Sequence, residues 1–237
     1  MKGGIIAVSG GIDSALALSL SVKALGPERV RAVTMPERDI TPESDITEVM
    51  RLTDLYDVTC DVVEITPTLE ALGGALPLYE PSDRLSTGNL RPRIRMIVSY
   101  HYANALNMMV VGSSNKTELM TGYFTKYGDG GVDLMPLGDL YKCQVRQLAR
   151  HMGVPQEIID KTPTAGLWPG QSDEGEMGAS YDTLDMIVWG HEKGFSAQEI
   201  ASGIDADLGL VESILARVER NEHKRRLPLL LRLGSLT

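Results

Sequence analysis

The sequence predicts an α/β fold, a parallel five-stranded sheet flanked by helices with a small helical C-terminal portion. Three observations predict it. Apolar runs of strand length alternate with helical stretches through the first part of the chain, giving a βαβαβ order. A Gly-rich turn joins the first apolar run directly to the first helix, and the last part of the chain shows helices alone. With 237 residues, 43% hydrophobic content and 24 glycines, the chain is long enough to bury a sizeable core as one domain over 1–237. That domain divides into an α/β core over 1–165 and a loop with C-terminal helices over 166–237.

The first strand is Ile5-Ile6-Ala7-Val8, and the first helix runs over 13–25 until Gly26-Pro27 stops it. A second strand spans 29–35. Thr41-Pro42 gives an N-cap and first-turn signal for a helix to residue 56, and a third strand spans 58–65. Residues 66–87 read as irregular, punctuated by Pro67, Gly73-Gly74, Pro77 and Pro81. A long helix over 90–105 follows; Pro92 fits only a first turn, so the helix is expected to begin there. A strand over 108–112 leads into Ser113-Ser114-Asn115-Lys116-Thr117-Glu118, a polar turn that opens a short helix. Further helices are expected at 140–152, from Pro155 to about 161, and then at 181–189, 196–202 and 206–221, with an irregular stretch at 164–179.

The turn between the first strand and helix, Ser9-Gly10-Gly11-Ile12-Asp13-Ser14, carries the chemistry. Paired glycines let backbone N–H groups approach an anion, and the helix end behind them adds unpaired donors and a positive dipole. Ser9 and Ser14 supply hydroxyls, and Asp13 is a hard oxygen ligand of the kind that holds Mg²⁺ against a polyphosphate. The loop spells neither a Walker A motif, having no lysine before Ser14, nor a dinucleotide fingerprint.

Four other stretches bear on a site. Arg91, Arg93 and Arg95 fit either a solvated helix face or a guanidinium fork for a substrate anion. Thr121-Gly122-Tyr123-Phe124-Thr125-Lys126-Tyr127-Gly128-Asp129-Gly130-Gly131-Val132-Asp133 fits a surface loop or the wall of a pocket for a ring and its hydroxyls. Lys142 in a first helical turn opposes the helix dipole, a cost that a phosphate would compensate and that exposure to solvent would also tolerate. The stretch 164–179, with Trp168 and an acidic cluster, reads as a lid in preference to a linker. The run His223-Lys224-Arg225-Arg226 has no function legible in its charge.

Composition excludes some classes. A net charge of -9 argues against a broad nucleic-acid surface or an anionic membrane as partner. Two cysteines, Cys60 and Cys143, are too few for a disulfide scaffold and point to a cytoplasmic setting. No export signal and no apolar run of about 18 residues is present.

Ser-Gly-Gly-x-Asp-Ser after a strand resembles the loop of the ATP pyrophosphatases, with their Rossmann-like sheet. Together with Gly88-Asn89-Leu90-Arg91-Pro92-Arg93, the Lys-Tyr-Gly-Asp-Gly-Gly block, Pro163-Thr164-Ala165, Gln171-Ser172-Asp173-Glu174 and Glu222-His223-Lys224-Arg225, it resembles ammonia-dependent NAD synthetase over nearly the whole chain. The resemblance implies a ligase that adenylates the nicotinate carboxylate of deamido-NAD⁺ with ATP, releases pyrophosphate, and amidates the intermediate with ammonia. It implies that Ala7, Val8, Ser9, Gly10, Gly11, Ile12, Asp13, Ser14, Ser113, Lys142 and Thr164 bind ATP. Asp13 and Glu118 would hold Mg²⁺, with Asp13, Lys142 and Thr164 acting catalytically.

Arg93, Lys126, Asp133, His223 and Lys224 would bind deamido-NAD⁺; Met35 and Arg38 would lie near adenine or ribose, and Asp173 or Glu176 would take a proton from ammonium. Ser113 stands where the family often has Thr, and Arg91-Pro92 where Lys-Ala is commoner. Family members carry a helix before the first strand that contributes to a homodimer, and here little sequence precedes that strand. No glutamine-hydrolysing domain or nucleophilic cysteine is evident, so ammonia is the expected nitrogen source. The alternatives are another ATP pyrophosphatase, such as a tRNA-modifying enzyme, and a non-catalytic ATP-binding protein.

Overall fold

Successive residues of a strand face opposite sides of a sheet, and that alternation divides the core here. In the computed structural model, which describes residues 1–168 and 170–231, β1 (Gly4–Ala7) turns Ile6 into one hydrophobic cluster and Ile5 into the other. β2 (Val30–Thr34), β3 (Cys60–Val62) and β4 (Met109–Val111) complete a sheet of order β3-β2-β1-β4, paired in parallel throughout. The first cluster packs under α1 (Ile12–Leu25), α2 (Glu43–Leu55), α7 (Lys142–His151) and α8 (Gln156–Ile159). The second packs under α3 (Thr66–Ala75) and α5 (Leu90–Leu106). Leu16 and Leu18 of α1 are fully buried, each a contribution of about 1.5–3 kcal/mol relative to exposure.

The sheet has four strands among the described residues, where five were expected. At the β4 edge there is instead a single parallel bridge between Val111 and Leu134. Pro136, two residues on, has no N–H to extend a ladder. The third strand is shorter than 58–65 because Asp57 takes a positive φ and Ile65 already stands at the N-cap of α3.

Residues 66–87 are also less irregular than expected: Pro67 sits in the first turn of α3, where a missing N–H costs nothing, and Asp83 caps α4 (Arg84–Gly88) by accepting from the amides of Leu85 and Ser86. α5 begins at Leu90, with Pro92 inside its first turn. Thr41 does not cap α2; its hydroxyl accepts from the Glu37 amide at 3.0 Å, and Pro42 takes the cap position.

The C-terminal helices form a third cluster. α9 (Asp173–Met177), α10 (Tyr181–Glu192), α11 (Ala197–Ile204) and α12 (Leu208–Arg220) bury Met177, Tyr181, Leu184, Ile187, Ile200 and Ile214 together. α9 interrupts the stretch expected to be irregular over 164–179. Arg217, Asn221, Lys224 and Arg225 donate to carbonyls of Leu119, Met120, Thr121 and Gly122 at the C-terminal end of α6 (Lys116–Thr121), where the helix dipole is negative. This is what the cationic C-terminal run does in the fold. At Gly122, a Cβ would meet Asn221 Cβ at 2.2 Å, so only glycine admits that approach.

Candidate active site

In a parallel sheet the loops leave at the carboxyl ends, and a crevice opens where neighbouring strands lead to opposite sides. β1 lies between β2 and β4, and over that end sits a cavity of about 840 Å³, within the range of a small-molecule site. Ala7, Val8, Ser9, Gly11, Ile12, Asp13 and Ser14 line it. Gly10 does not line it; with φ at +78° it makes the turn that a side chain would strain. Gly11 has φ at -90°, and a Cβ there would meet only Ser9 Oγ, at an ordinary 3.6 Å. No described residue requires glycine at 11, so the space it leaves is open to a ligand at the N-terminus of α1. Ser14 holds the loop in shape, accepting from the Ser9 amide at 3.2 Å and donating to the Gly11 carbonyl at 3.0 Å.

Behind the loop α6, α7, α9 and α10 converge. Lys142 is 1% exposed, and its Nζ donates to Asp13 Oδ2 and lies 3.5 Å from Glu118 Oε1 and 4.5 Å from the centre of the Tyr181 ring. Asn115 ties the two carboxylates together, donating from Nδ2 to Asp13 Oδ1 at 2.9 Å and closing a capping box with Glu118 at the start of α6. The Tyr181 hydroxyl bridges Glu118 Oε1 at 3.1 Å and Asp173 Oδ2 at 3.0 Å, its one proton shared between the two carboxyls. Asp173 Oδ1 is buried and has no hydrogen-bond partner among the described residues.

Burial is the main force on these groups. It pushes the Glu118 carboxyl up, helped by Asp13 and opposed by Lys142. It also raises Asp173. It raises the Tyr181 phenol, with the Glu118 and Asp173 carboxylates adding to it, so the phenol remains a donor. Burial pulls the Lys142 ammonium down, but Asp13 and Glu118 more than reverse this and hold it above its ordinary value. Asp13 and Glu118 face the same ammonium, and a further cation there would favour the charged form of the carboxyl that burial raises. Among the described residues, no group of three or more His, Cys, Asp or Glu is arranged to hold a metal. Two oxygen donors beside a polyphosphate nevertheless fit Mg²⁺, which usually takes one or two carboxylates and fills its shell from phosphate and water.

The compensation that Lys142 needs at the start of α7 is already in the protein. Asp185 of α10 accepts from the amides of Lys142 and Cys143 at 3.2 and 2.8 Å, so a carboxylate sits at that helix end.

Of the remaining expected residues, Ser113 and Thr164 line the cavity, as do Met35 and Lys224. Arg38 does not; it pairs with Glu64 at 3.0 Å and is largely exposed. Arg93, Lys126 and His223 stand together outside the cavity: Arg93 donates to the Lys126 carbonyl at 3.4 Å and Lys126 Nζ to the His223 carbonyl at 2.8 Å. Lys224 joins them by chain, its Nζ donating to the carbonyls of Gly122 and Phe124. Asp133 lies apart, accepting from the Val110 amide and the Tyr100 hydroxyl.

The choice left open for the arginines of α5 resolves differently for each. Arg91 makes a bidentate pair with Glu37 at 2.6 and 2.7 Å, whereas Arg95 lines the cavity and donates to the Met35 carbonyl. The block from Gly122 to Val132 walls the cavity through Gly122 to Thr125, Gly128, Asp129, Gly131 and Val132, and Leu167 and Trp168 close over α4, with Arg84 set 6.0 Å from the Trp168 ring. Asn115, Tyr181 and Asp185 carry contacts that no sequence motif assigns. Asn115 and Glu118 do spell a capping box, and Asp185 is a lone carboxylate on the apolar face of α10, beside Tyr181, Leu184 and Val188.

The family profile described as NAD synthase matches residues 1–228. NH(3)-dependent NAD(+) synthetase of Methanosarcina acetivorans is 45% identical over 228 residues, covering 96% of this chain and 89% of that one. Among solved structures, the NMN synthetase from Francisella tularensis superposes with a TM-score of 0.85 at 35% identity, covering 97% of this chain and 89% of that one. The NH3-dependent NAD synthetase from Campylobacter jejuni subsp. jejuni gives 0.79 at 29% identity, covering 98% and 90%.

Proposed function

This chain belongs to the NAD synthase family, and on that premise we propose how its residues divide the work of an ammonia-dependent NAD⁺ synthase. The reaction is the ATP-dependent amidation of deamido-NAD⁺. A nicotinate carboxylate oxygen attacks the α-phosphorus of ATP and the bond to the bridging oxygen breaks, releasing pyrophosphate. Ammonia then attacks the acyl carbon, loses a proton and expels AMP.

The observation that carries the reading is Lys142 held between Asp13 and Glu118 directly behind the glycine loop. Substitution at phosphorus needs positioning and neutralisation of the leaving group. The amides from Gly11 to Ser14 and the Ser9 hydroxyl bind the phosphates, and Ser113 and Thr164 complete the ATP site from the facing wall. Lys142 turns its ammonium to the departing pyrophosphate. Asp13 and Glu118 are the pair that would hold Mg²⁺, which supplies charge neutralisation on the polyphosphate when bound.

Arg93, Lys126, His223 and Lys224 receive deamido-NAD⁺ as one basic patch, and Asp133 contributes from the β4 edge. The proton from ammonium goes to Asp173, whose buried Oδ1 has no hydrogen-bond partner among the described residues. The protein works as a homodimer, as the family resemblance implies, and in the cytoplasm, in keeping with the free thiols of Cys60 and Cys143. No helix among the described residues is long and apolar enough to cross a membrane.

The test is to incubate the protein with ATP, Mg²⁺, ammonium and deamido-NAD⁺ and follow AMP and NAD⁺ together. Equal amounts of both are expected; AMP without NAD⁺, or no turnover, would remove the reading. Because one structural relative is an NMN synthetase, nicotinate mononucleotide is the comparison substrate, and preference for it would replace the dinucleotide.

A further inference from the structure

Asp185 touches none of the cavity-lining groups directly except through the main chain, yet it joins two of the elements that build the site. It is 4% exposed on α10. Its Oδ2 accepts from the Cys143 amide at 2.8 Å, and its Oδ1 accepts from the Lys142 amide at 3.2 Å and from the Thr117 hydroxyl. Those amides are the first two of α7, which the helix leaves without partners of its own. Thr117 is 0% exposed and precedes Glu118 on α6. One carboxylate from the C-terminal helices thus fixes both the residue that presents the ammonium and the neighbour of the carboxylate that receives it.

We propose that Asp185 is a positioning residue for the adenylating centre, setting Lys142 on α7 against Glu118 on α6. It does so without contact to ATP, so its effect falls on the step in which charge moves to the leaving pyrophosphate. ATP is gripped in the ground state by the glycine loop and the N-terminus of α1, which Asp185 does not touch. The inference rests on the reading of Lys142 and Glu118 given above.

The experiment compares wild type, Asp185→Ala, Asp185→Asn and Thr117→Val in the pyrophosphate-release assay with ATP, Mg²⁺, ammonium and deamido-NAD⁺, with thermal unfolding to show that each is folded. Asp185→Ala is expected to lower kcat by about 10- to 100-fold, the usual range for outer-sphere partners, with KM for ATP within about threefold of wild type. In Asp185→Asn the amide oxygen still accepts from the Lys142 amide and the Thr117 hydroxyl while the NH₂ faces the Cys143 amide, so kcat recovers in part and lies between the alanine variant and wild type.

Thr117→Val preserves shape, so it reports even if the alanine variant does not fold; it is expected to lower kcat about threefold or more at unchanged KM. The proposal is overturned by unchanged kcat in Asp185→Ala or Thr117→Val, by a KM rise equal to the kcat loss, or by an asparagine variant no better than alanine. If wild type itself makes no AMP and NAD⁺, the functional reading falls and this inference with it. If wild type turns over and the variants match it, only the inference falls.

Discussion

Replacing Lys142 by methionine keeps the aliphatic stem and removes the ammonium. The side chain is 2% exposed, and its partners Asp13 and Glu118 are 18% and 14% exposed, so solvent screens little of what is lost. Breaking such a pair leaves two carboxylates facing each other at a cost of about 3–5 kcal/mol. Glu118 is already raised by burial, and proton uptake there absorbs part of the cost, which places the expected loss near about 3 kcal/mol. In a chain of this length each kcal/mol moves Tm by about 2–4 °C, so Tm is expected to fall by about 6–12 °C. Mg²⁺ with ATP returns part of that shift, because a bound cation takes over the neutralisation.

In the pyrophosphate-release assay, loss of one preorganised charge predicts a fall in kcat of about 10²- to 10³-fold. Paired measurements of Tm with and without Mg²⁺ and ATP, and of kcat, separate the two effects. An unchanged Tm would mean that the carboxylates do not depend on the lysine. A lowered Tm with kcat retained would mean that Lys142 serves the fold alone.

Gly11→Ala is expected to leave Tm unchanged, since its Cβ meets only Ser9 Oγ at 3.6 Å, and to raise KM for ATP tenfold or more; unaltered KM would show that the space there receives no phosphate. Gly10→Ala, forced to φ +78°, is expected to lose about 1–2 kcal/mol of stability in denaturant unfolding, and full stability would contradict the strained turn. Lys126→Ala is expected to weaken deamido-NAD⁺ binding by calorimetry while ATP binding persists, since Lys126 lies outside the ATP cavity and holds the His223 carbonyl; equal loss of both ligands refutes the division.

pH gives a further check. Burial raises Glu118 and Asp173, so above the ordinary carboxylate range the folded protein holds protons that the unfolded chain has released, and stability falls as pH rises through that window. Without metal, Tm of wild type should therefore drop more between about pH 5 and about pH 7.5 than Tm of Glu118→Gln. Equal slopes would deny the shift.

What was legible in the sequence follows from how local each determinant is. The strand, paired glycines and helix around Ser9 to Ser14 are contiguous, and their geometry emerges as read. The polar start of α6 is likewise written in Asn115 and Glu118, three residues apart. Residues 66–87 misled because Pro67 and Pro81 punctuate without breaking: one stands in a first turn and the other before the Asp83 cap. The fifth strand is missing among the described residues because a strand is defined by its partner, and the pairing of Asp133 and Leu134 with β4 amounts to one isolated bridge. Asp185 was invisible as a participant, since its donors lie 42 and 68 positions away in Cys143 and Thr117. The basic residues of α5 were ambiguous from charge, and tertiary contacts separate them, Arg91 onto Glu37 and Arg95 into the cavity.

The reaction assigned to the loop and Lys142 requires that the nicotinate carboxylate itself attack the α-phosphorus. Deamido-NAD⁺ labelled with heavy oxygen in that carboxylate, turned over with ATP and ammonium and analysed by mass spectrometry, tests this directly. One heavy oxygen in AMP, one retained in the amide of NAD⁺ and none in pyrophosphate is the predicted result. Unlabelled AMP, or label carried into inorganic phosphate with ADP as co-product, would contradict adenylation at this site.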